Sequence, residues 1–236
     1  AAANRLEDLG VCAYKIGSGE CNNYPLLEHL ANFGKPIILS TGMNDVDSIY
    51  PAVEIFREKG IPFALLHCTS MYPTPYSLVR LGSLEILRNS FPDAVLGLSD
   101  HSIGNYTCFG SVPLGASILE KHYTADKTWD GPDVSISIDP LELKDLIKGT
   151  KIIHQSLGGE KAILKEETPT INFAYASVVA IEDIKEGESF TMDNIWVKRP
   201  GTGELLAKDF STVLGKTSLQ DIKNGTQIKK QFIEVR

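Results

Sequence analysis

Residues 94–122 read AVLGLSDHSIGNYTCFGSVPLGASILEKH. An apolar run, Ala94–Ser99, leads into Ser99-Asp100-His101. A second, Ser117–His122, ends in Glu120-Lys121-His122. Working outward, the same unit recurs. Val11–Gly17 runs out through Lys15-Ile16-Gly17-Ser18-Gly19-Glu20, Pro36–Thr41 through Ser40-Thr41-Gly42, and Phe63–Thr69 through His67-Cys68-Thr69-Ser70-Met71-Tyr72. Amphipathic stretches lie between them, such as Val46–Lys59, with Val46, Ile49, Val53 and Phe56 on one face, and Leu81–Phe91. Strands alternating with helices predict βαβ units and a parallel sheet. Near-continuous apolar strands predict a sheet covered on both faces. A doubly wound sheet and a (β/α)₈ barrel both satisfy this pattern. A barrel gathers its site from the carboxyl ends of many strands, whereas an open sheet concentrates it at one switch point. Polar, chemically capable residues at every strand end favour the barrel.

The expected fold is therefore α/β, a (β/α)₈ TIM barrel lacking about its first three strands, because five strands are visible and the chain opens in a helical pattern, Ala1–Leu9. Strands four to eight would occupy residues 1–158, closing with a helix over Leu141–Leu157. Residues 159–175 read as a linker. Residues 176–236 read as a small, mixed, β-rich domain with short β-branched runs (Ser177–Ala180, Asn194–Lys198) and turn signals such as Arg199-Pro200-Gly201-Thr202-Gly203.

Charge divides at the same place. Of 23 basic and 30 acidic side chains, residues 1–175 hold 14 and 21, and residues 176–236 hold nine of each. The net −7 argues against a sequence-blind nucleic-acid binder, which needs a basic face. No apolar run approaches a membrane span, and Ala1–Asp8 lacks the basic end and apolar stretch of a secretory leader. Cys12, Cys21, Cys68 and Cys108 have no CxxC or CxxH spacing; buried, reduced thiols in a cytoplasmic protein are the expectation.

His101 and His122 end successive strands. Two neutral imidazoles there can share a divalent metal that keeps open positions; simple hydrogen-bonded strand-end histidines are the alternative. Glu20 and Glu120 are nearby candidates to tune such a metal. Lys15 can bind a phosphate or carboxylate or form a Schiff base, or simply reach solvent. Ser18, Ser40, Ser70 and Ser99 recur at strand ends and can cradle a phosphate, although each alone is also a turn former. Tyr72 precedes a rigid Pro73-Thr74-Pro75 loop, and Asp133 lies in a Trp129–Asp133 loop where it can bind sugar hydroxyls. Arg199 is a cation in the second domain's Pro/Gly-rich loop. The residues alone point to a metal-dependent barrel enzyme for an anionic substrate.

The strings YKIGSGECNNYPLL (14–27), ILSTGM (38–43), LHCTSMYPTPY (66–76), GLSDH (97–101), LEKHYT (119–124) and WVKRPGTG (196–203) resemble the sialic acid synthase family over essentially the whole chain. The resemblance implies a metal-dependent barrel followed by an antifreeze-like (SAF) domain. It implies condensation of phosphoenolpyruvate with N-acetylmannosamine and water, giving N-acetylneuraminate and phosphate by C–O cleavage. His101 and His122 would hold Mn²⁺, with Mg²⁺ or Co²⁺ as substitutes, and Glu120 would support the metal region. Glu20 would handle protons or water, and Lys15, Ser18, Ser40 and Ser99 would bind phosphoenolpyruvate. Ser70 stands where relatives carry Asn or Ser. Tyr72, Asp133 and Phe173 would line the amino-sugar pocket. Arg199 would reach the sugar bound by the partner in a domain-swapped homodimer. The family's upstream strands carry a further glutamate and lysine, so the segment alone is expected to be inactive. Synthesis of legionaminic or pseudaminic acid from a diacetamido-trideoxyhexose is the rival reading. A non-catalytic fragment and an ice-binding module are the remote ones.

Overall fold

The structure is a computed structural model and describes residues 2–234. The chain divides into two compact units, residues 1–159 and 160–236.

The first unit contains α1 (Ala2–Asp8), β1 (Tyr14–Ile16), α2 (Tyr24–Ala31), β2 (Ile37–Ser40), α3 (Val46–Glu58), β3 (Phe63–Cys68), α4 (Tyr76–Val79), α5 (Ser83–Ser90), β4 (Val95–Asp100), α6 (Tyr106–Ser111), β5 (Ile118–Lys121) and α7 (Pro140–Ser156). The five strands are parallel and lie side by side in chain order. Strand order never reverses, so the sheet has no switch point and is an arc of a barrel rather than a doubly wound sheet.

The strands form where β-branched and aliphatic residues run together, and β3 is buried at every position. Gly97 shows how tightly the sheet packs. A Cβ there would meet Leu66 Cδ2 at 2.2 Å and the Ile118 carbonyl at 2.5 Å. The covering helices are set by caps and by one apolar stripe each. In α3 the Asp45 side chain accepts from the Ser48 amide while the Ser48 hydroxyl accepts from the Asp45 amide. That helix then buries Ile49, Ala52, Val53 and Phe56 at i, i+3, i+4, i+7. Phe56, Leu65 and Phe91 are fully enclosed, each contributing roughly 1.5–3 kcal/mol of transfer free energy. Asp139 and Glu142 cap α7 reciprocally.

Three cysteines are buried and Cys12 is exposed; all four are free. Cys12 departs from the expected burial because it stands in the loop before β1 rather than in a strand. Burial pushes Cys21 up to about 11 and Cys108 up to about 12, so both are unreactive thiols. No helix among the described residues is long and apolar enough to cross a membrane.

In the second unit, α8 (Thr168–Ala174) precedes β6 (Ser177–Ala180) and β7 (Ile195–Lys198), which pair antiparallel, and α9 (Phe210–Val213) follows. Val178, Ala180, Ile184, Phe190, Ile195, Ile222 and Ile228 form its core. Residues 159–175 read as linker, yet α8 lies within them and within this unit. Its signal is weak because the helix is one short stretch holding Pro169 and preceded by the charged run Lys165-Glu166-Glu167. A loop packs onto it: the Gly201 amide donates to the Asn172 carbonyl at 2.9 Å, and a Cβ at Gly201 would strike Tyr175.

Candidate active site

The carboxyl ends of β1 to β5 enclose a cavity of about 470 Å³. Lys15, Ser18, Ser40, Ser70, Tyr72, Ser99, Glu120, His101 and His122 all line it. Side chains alternate along a strand, so Ser99 and His101 on β4's end face the same side as Glu120 and His122 on β5's end, with Ser99 opposite Glu120 in register. A larger cavity of about 630 Å³ opens beside α3 and α5. It holds neither His101 nor His122, and the candidate residues gather in the smaller one.

The two imidazoles stand edge to face, centroids 5.2 Å apart, and the Tyr72 ring lies 4.2 Å from His101 and 5.8 Å from His122. His101 Nδ1–H donates to the Thr69 carbonyl at 3.0 Å. His122 Nδ1 is 3.5 Å from Asp133 Oδ2. The carbonyl acceptor on His101 Nδ1 fixes that ring's tautomer and leaves its Nε2 as the ligating atom, the outer support that metal-bound histidines use, and beside His122 Nδ1 the Asp133 carboxylate stands as a neighbouring charge. The donor set thus fits a divalent cation held by two protein nitrogens. No cluster of three or more His, Cys, Asp or Glu forms a closed cage among the described residues, so the remaining positions would be open.

The histidines are also driven apart electrostatically. Burial lowers His122, and the His101 charge lowers it further. Burial alone would lower His101 too, but the Cys68 thiol, the Thr69 carbonyl and the Asp100 charge outweigh it and raise His101. Cys68 was not among the sequence-derived site residues. Its Sγ is 3.8 Å from His101 Nδ1, and it lines the cavity. The signal was its place in the apolar-to-polar LHCTS string.

β1 and β2 and the loops after them supply the cavity wall that carries Lys15, Ser18 and Ser40. Gly42 N–H donates to Ser18 Oγ at 2.9 Å, which leaves the Ser18 hydroxyl hydrogen free to donate onward. Gly42 is required there, since a Cβ would meet Ser70 Oγ at 2.3 Å and Ser18 Oγ at 2.8 Å. Ser40 Oγ is buried and has no hydrogen-bond partner. Lys15 Nζ lies 3.3 Å from Glu120 Oε2, and Ser99 Oγ donates to Glu120 Oε1 at 2.8 Å. Glu120 is thus tied to the cationic wall rather than to either imidazole.

Four expected residues stand outside this cavity's lining. Glu20 ends a 3₁₀ turn, is exposed, and accepts from Asn23 Nδ2 at 2.6 Å. Asp133 touches the site through His122 and lines an adjoining cavity of about 480 Å³ with Trp129 and Tyr123. Phe173 and Arg199 belong to the second unit, where the Arg199 guanidinium carbon lies 6.0 Å from the Phe173 ring centroid. The Gly201 contact with α8 brings that pair together.

A family profile described as NeuB family matches residues 1–162, and one described as SAF domain matches residues 175–234. The chain is 38% identical over 95% of its length to N,N'-diacetyllegionaminic acid synthase of Campylobacter jejuni, spanning 68% of that protein. It is 34% identical over 99% of its length to human N-acetylneuraminate-9-phosphate synthase, spanning 65% of it. A crystal structure of N-acetylneuraminic acid synthetase from Leptospira borgpetersenii superimposes with a TM-score of 0.67 at 39% identity, covering 71% of this chain and 59% of that one. The chain therefore spans about two thirds or less of the length of these relatives.

Proposed function

The chain belongs to the NeuB family, and on that premise we propose that it serves as an N-acetylneuraminate synthase, joining phosphoenolpyruvate to N-acetylmannosamine with water and releasing phosphate by C–O cleavage. The observation that carries this reading is the buried, unpartnered Ser40 hydroxyl in the same cavity as Lys15 and both imidazoles. A buried donor without an acceptor costs about 1–3 kcal/mol, and an anionic ligand's oxygen supplies the acceptor. Lys15, Ser18, Ser40 and Ser99 bind the phosphate and carboxylate of phosphoenolpyruvate. Lys15 exchanges its Glu120 partner for the ligand as it does so. Ser70 stands beside Ser18 and Gly42 at the edge of the same anion site.

His101 and His122 would hold a Mn²⁺ ion through Nε2, with Mg²⁺ or Co²⁺ as substitutes. When bound, such a cation supplies Lewis-acid polarisation of an aldehyde oxygen. Tyr72, stacked on His101, shields one side of that oxygen's position from water. Asp133 orients His122 and offers its second oxygen to a sugar hydroxyl. Glu20 guides the water that adds to the former enol carbon, after leaving Asn23. Phe173 holds the Arg199 guanidinium toward the N-acetyl group of a sugar bound by a partner copy in a domain-swapped homodimer.

A diacetamido-trideoxyhexose acceptor is the second reading, favoured by the 38% identity to the legionaminic acid synthase. Comparing turnover of N-acetylmannosamine with that of 2,4-diacetamido-2,4,6-trideoxyhexoses, in a polypeptide carrying this chain with the family's upstream strands, decides between them. Preference for N-acetylmannosamine supports the proposal; preference for the diacetamido sugars replaces it with the second reading.

A further inference from the structure

Directly behind the two histidines, on the opposite face of the sheet, lies a charge pair that the proposed chemistry does not use. Asp100 and Lys121 are register partners on β4 and β5. Lys121 Nζ lies 3.0 Å from Asp100 Oδ2, and the two side chains are 2% and 1% exposed. Asp100 also accepts from the Ser102 amide and hydroxyl, both at 3.0 Å, from Thr107 Oγ1 at 2.7 Å and from Cys108 Sγ at 3.6 Å. Lys121 Nζ donates in addition to the Ser102 carbonyl. The two Lys121 bonds join β5 to β4 and to the loop after His101, and the remaining Asp100 bonds join β4 to that loop and to α6.

Such a pair is poor evidence for stability, because desolvating two charges costs about as much as their attraction returns. Its attested use is to specify register. A one-residue slip of β5 against β4 would turn Lys121 toward the cavity side and leave Asp100 as an uncompensated buried charge. It would also carry His122 to the other face. The next residues after the pair on each strand are His101 and His122 themselves, 5.2 Å apart by ring centroid.

We propose that Asp100 and Lys121 are a positioning pair that sets the separation and facing of His101 and His122. The proposal rests on the reading of those histidines as metal ligands. The pair touches neither metal nor substrate. It acts through the strand register and through the Ser102 backbone, which it grips from both sides.

The test uses the 236-residue chain and the variants Asp100→Asn, Lys121→Met, Lys121→Arg and the double apolar variant Asp100→Leu/Lys121→Met. Two readouts are taken: Mn²⁺ affinity from the electron paramagnetic resonance of free Mn²⁺, and the ring-proton NMR signals of the metal-free chain. In Lys121→Met and Asp100→Asn, Mn²⁺ affinity is expected to fall about 10–100-fold, the loss typical when the support of a metal ligand is removed. The His101 and His122 signals should move while the His29 signal on α2 stays. Lys121→Arg should recover both readouts. The double variant buries no lone charge and so keeps the fold if a single variant does not; it should still show displaced histidine signals. Folded variants with parental affinity and unmoved histidine signals overturn the proposal. A parent chain that binds no Mn²⁺ contradicts the metal reading instead, and the metal-free NMR comparison then still decides whether the pair positions the rings.

Discussion

Ser40 concentrates the functional argument in one atom. Its hydroxyl is buried without a partner, so the ligand-free chain bears the desolvation of that group for nothing. Ser40→Ala should therefore leave the thermal stability of the free chain unchanged or raise it, while weakening phosphoenolpyruvate binding by roughly tenfold, the equivalent of one lost hydrogen bond to a charged group. Calorimetry and a ligand titration on the same preparation check both halves. Lower stability together with unchanged binding would place the hydroxyl in a structural role.

His67 offers a different check. It is buried, and its Nε2–H donates to the Val79 carbonyl at 2.6 Å. Burial holds it below the ordinary histidine range, and the Arg80 charge opposes protonation further. Its folded-state value is depressed, so the unfolded chain takes up the proton first as pH falls. Its contribution is complete above the unfolded value of about 6.5 and is lost as pH drops below it. His67→Gln keeps a donor to Val79 but cannot titrate. Between about pH 7 and pH 5 the melting temperature of the parent should fall more than that of the variant; parallel curves would contradict the assignment.

At the scale of elements, strand ends carry the site, and the strands were the most legible part of the sequence. Each is an apolar run broken by polar residues, so the five runs and the five parallel strands coincide to within a few residues. The sequential strand order then brings together residues far apart in the chain. That Lys15 pairs with Glu120 was not legible, because the contact depends on curvature of the sheet from β1 to β5 and not on any local pattern. Gly97 tests the packing that holds these ends. Gly97→Ala pushes a methyl into Leu66 and into the Ile118 backbone, and backbone cannot yield as a side-chain tip can. A loss of about 1–3 kcal/mol is expected in denaturant unfolding; a neutral substitution would mean that β3, β4 and β5 pack more loosely than described.

For the whole molecule, charge and site divide between two units. The cationic pair partner Lys15 and both imidazoles stand on the first, and Arg199 with Phe173 on the second. The sequence already separated a neutral tail from an acidic body. It placed Phe173 in a linker, however, because a short helix held by packing against a glycine-bearing loop leaves little periodicity of its own. If Arg199 serves the sugar, Arg199→Ala should raise KM for the acceptor several-fold more than KM for phosphoenolpyruvate. An equal rise in both would place Arg199 in general assembly instead.

The proposed reaction makes a C–C bond at the expense of a C–O bond in phosphoenolpyruvate. Phosphoenolpyruvate carrying heavy oxygen at the bridging position, N-acetylmannosamine and Mn²⁺ are supplied to a polypeptide that joins this chain to the family's upstream strands, with His122→Ala as the control. The expected result is N-acetylneuraminate, with the heavy oxygen in the released phosphate, and no product from the control. Heavy oxygen retained in the sugar acid, or equal turnover by His122→Ala, would contradict it.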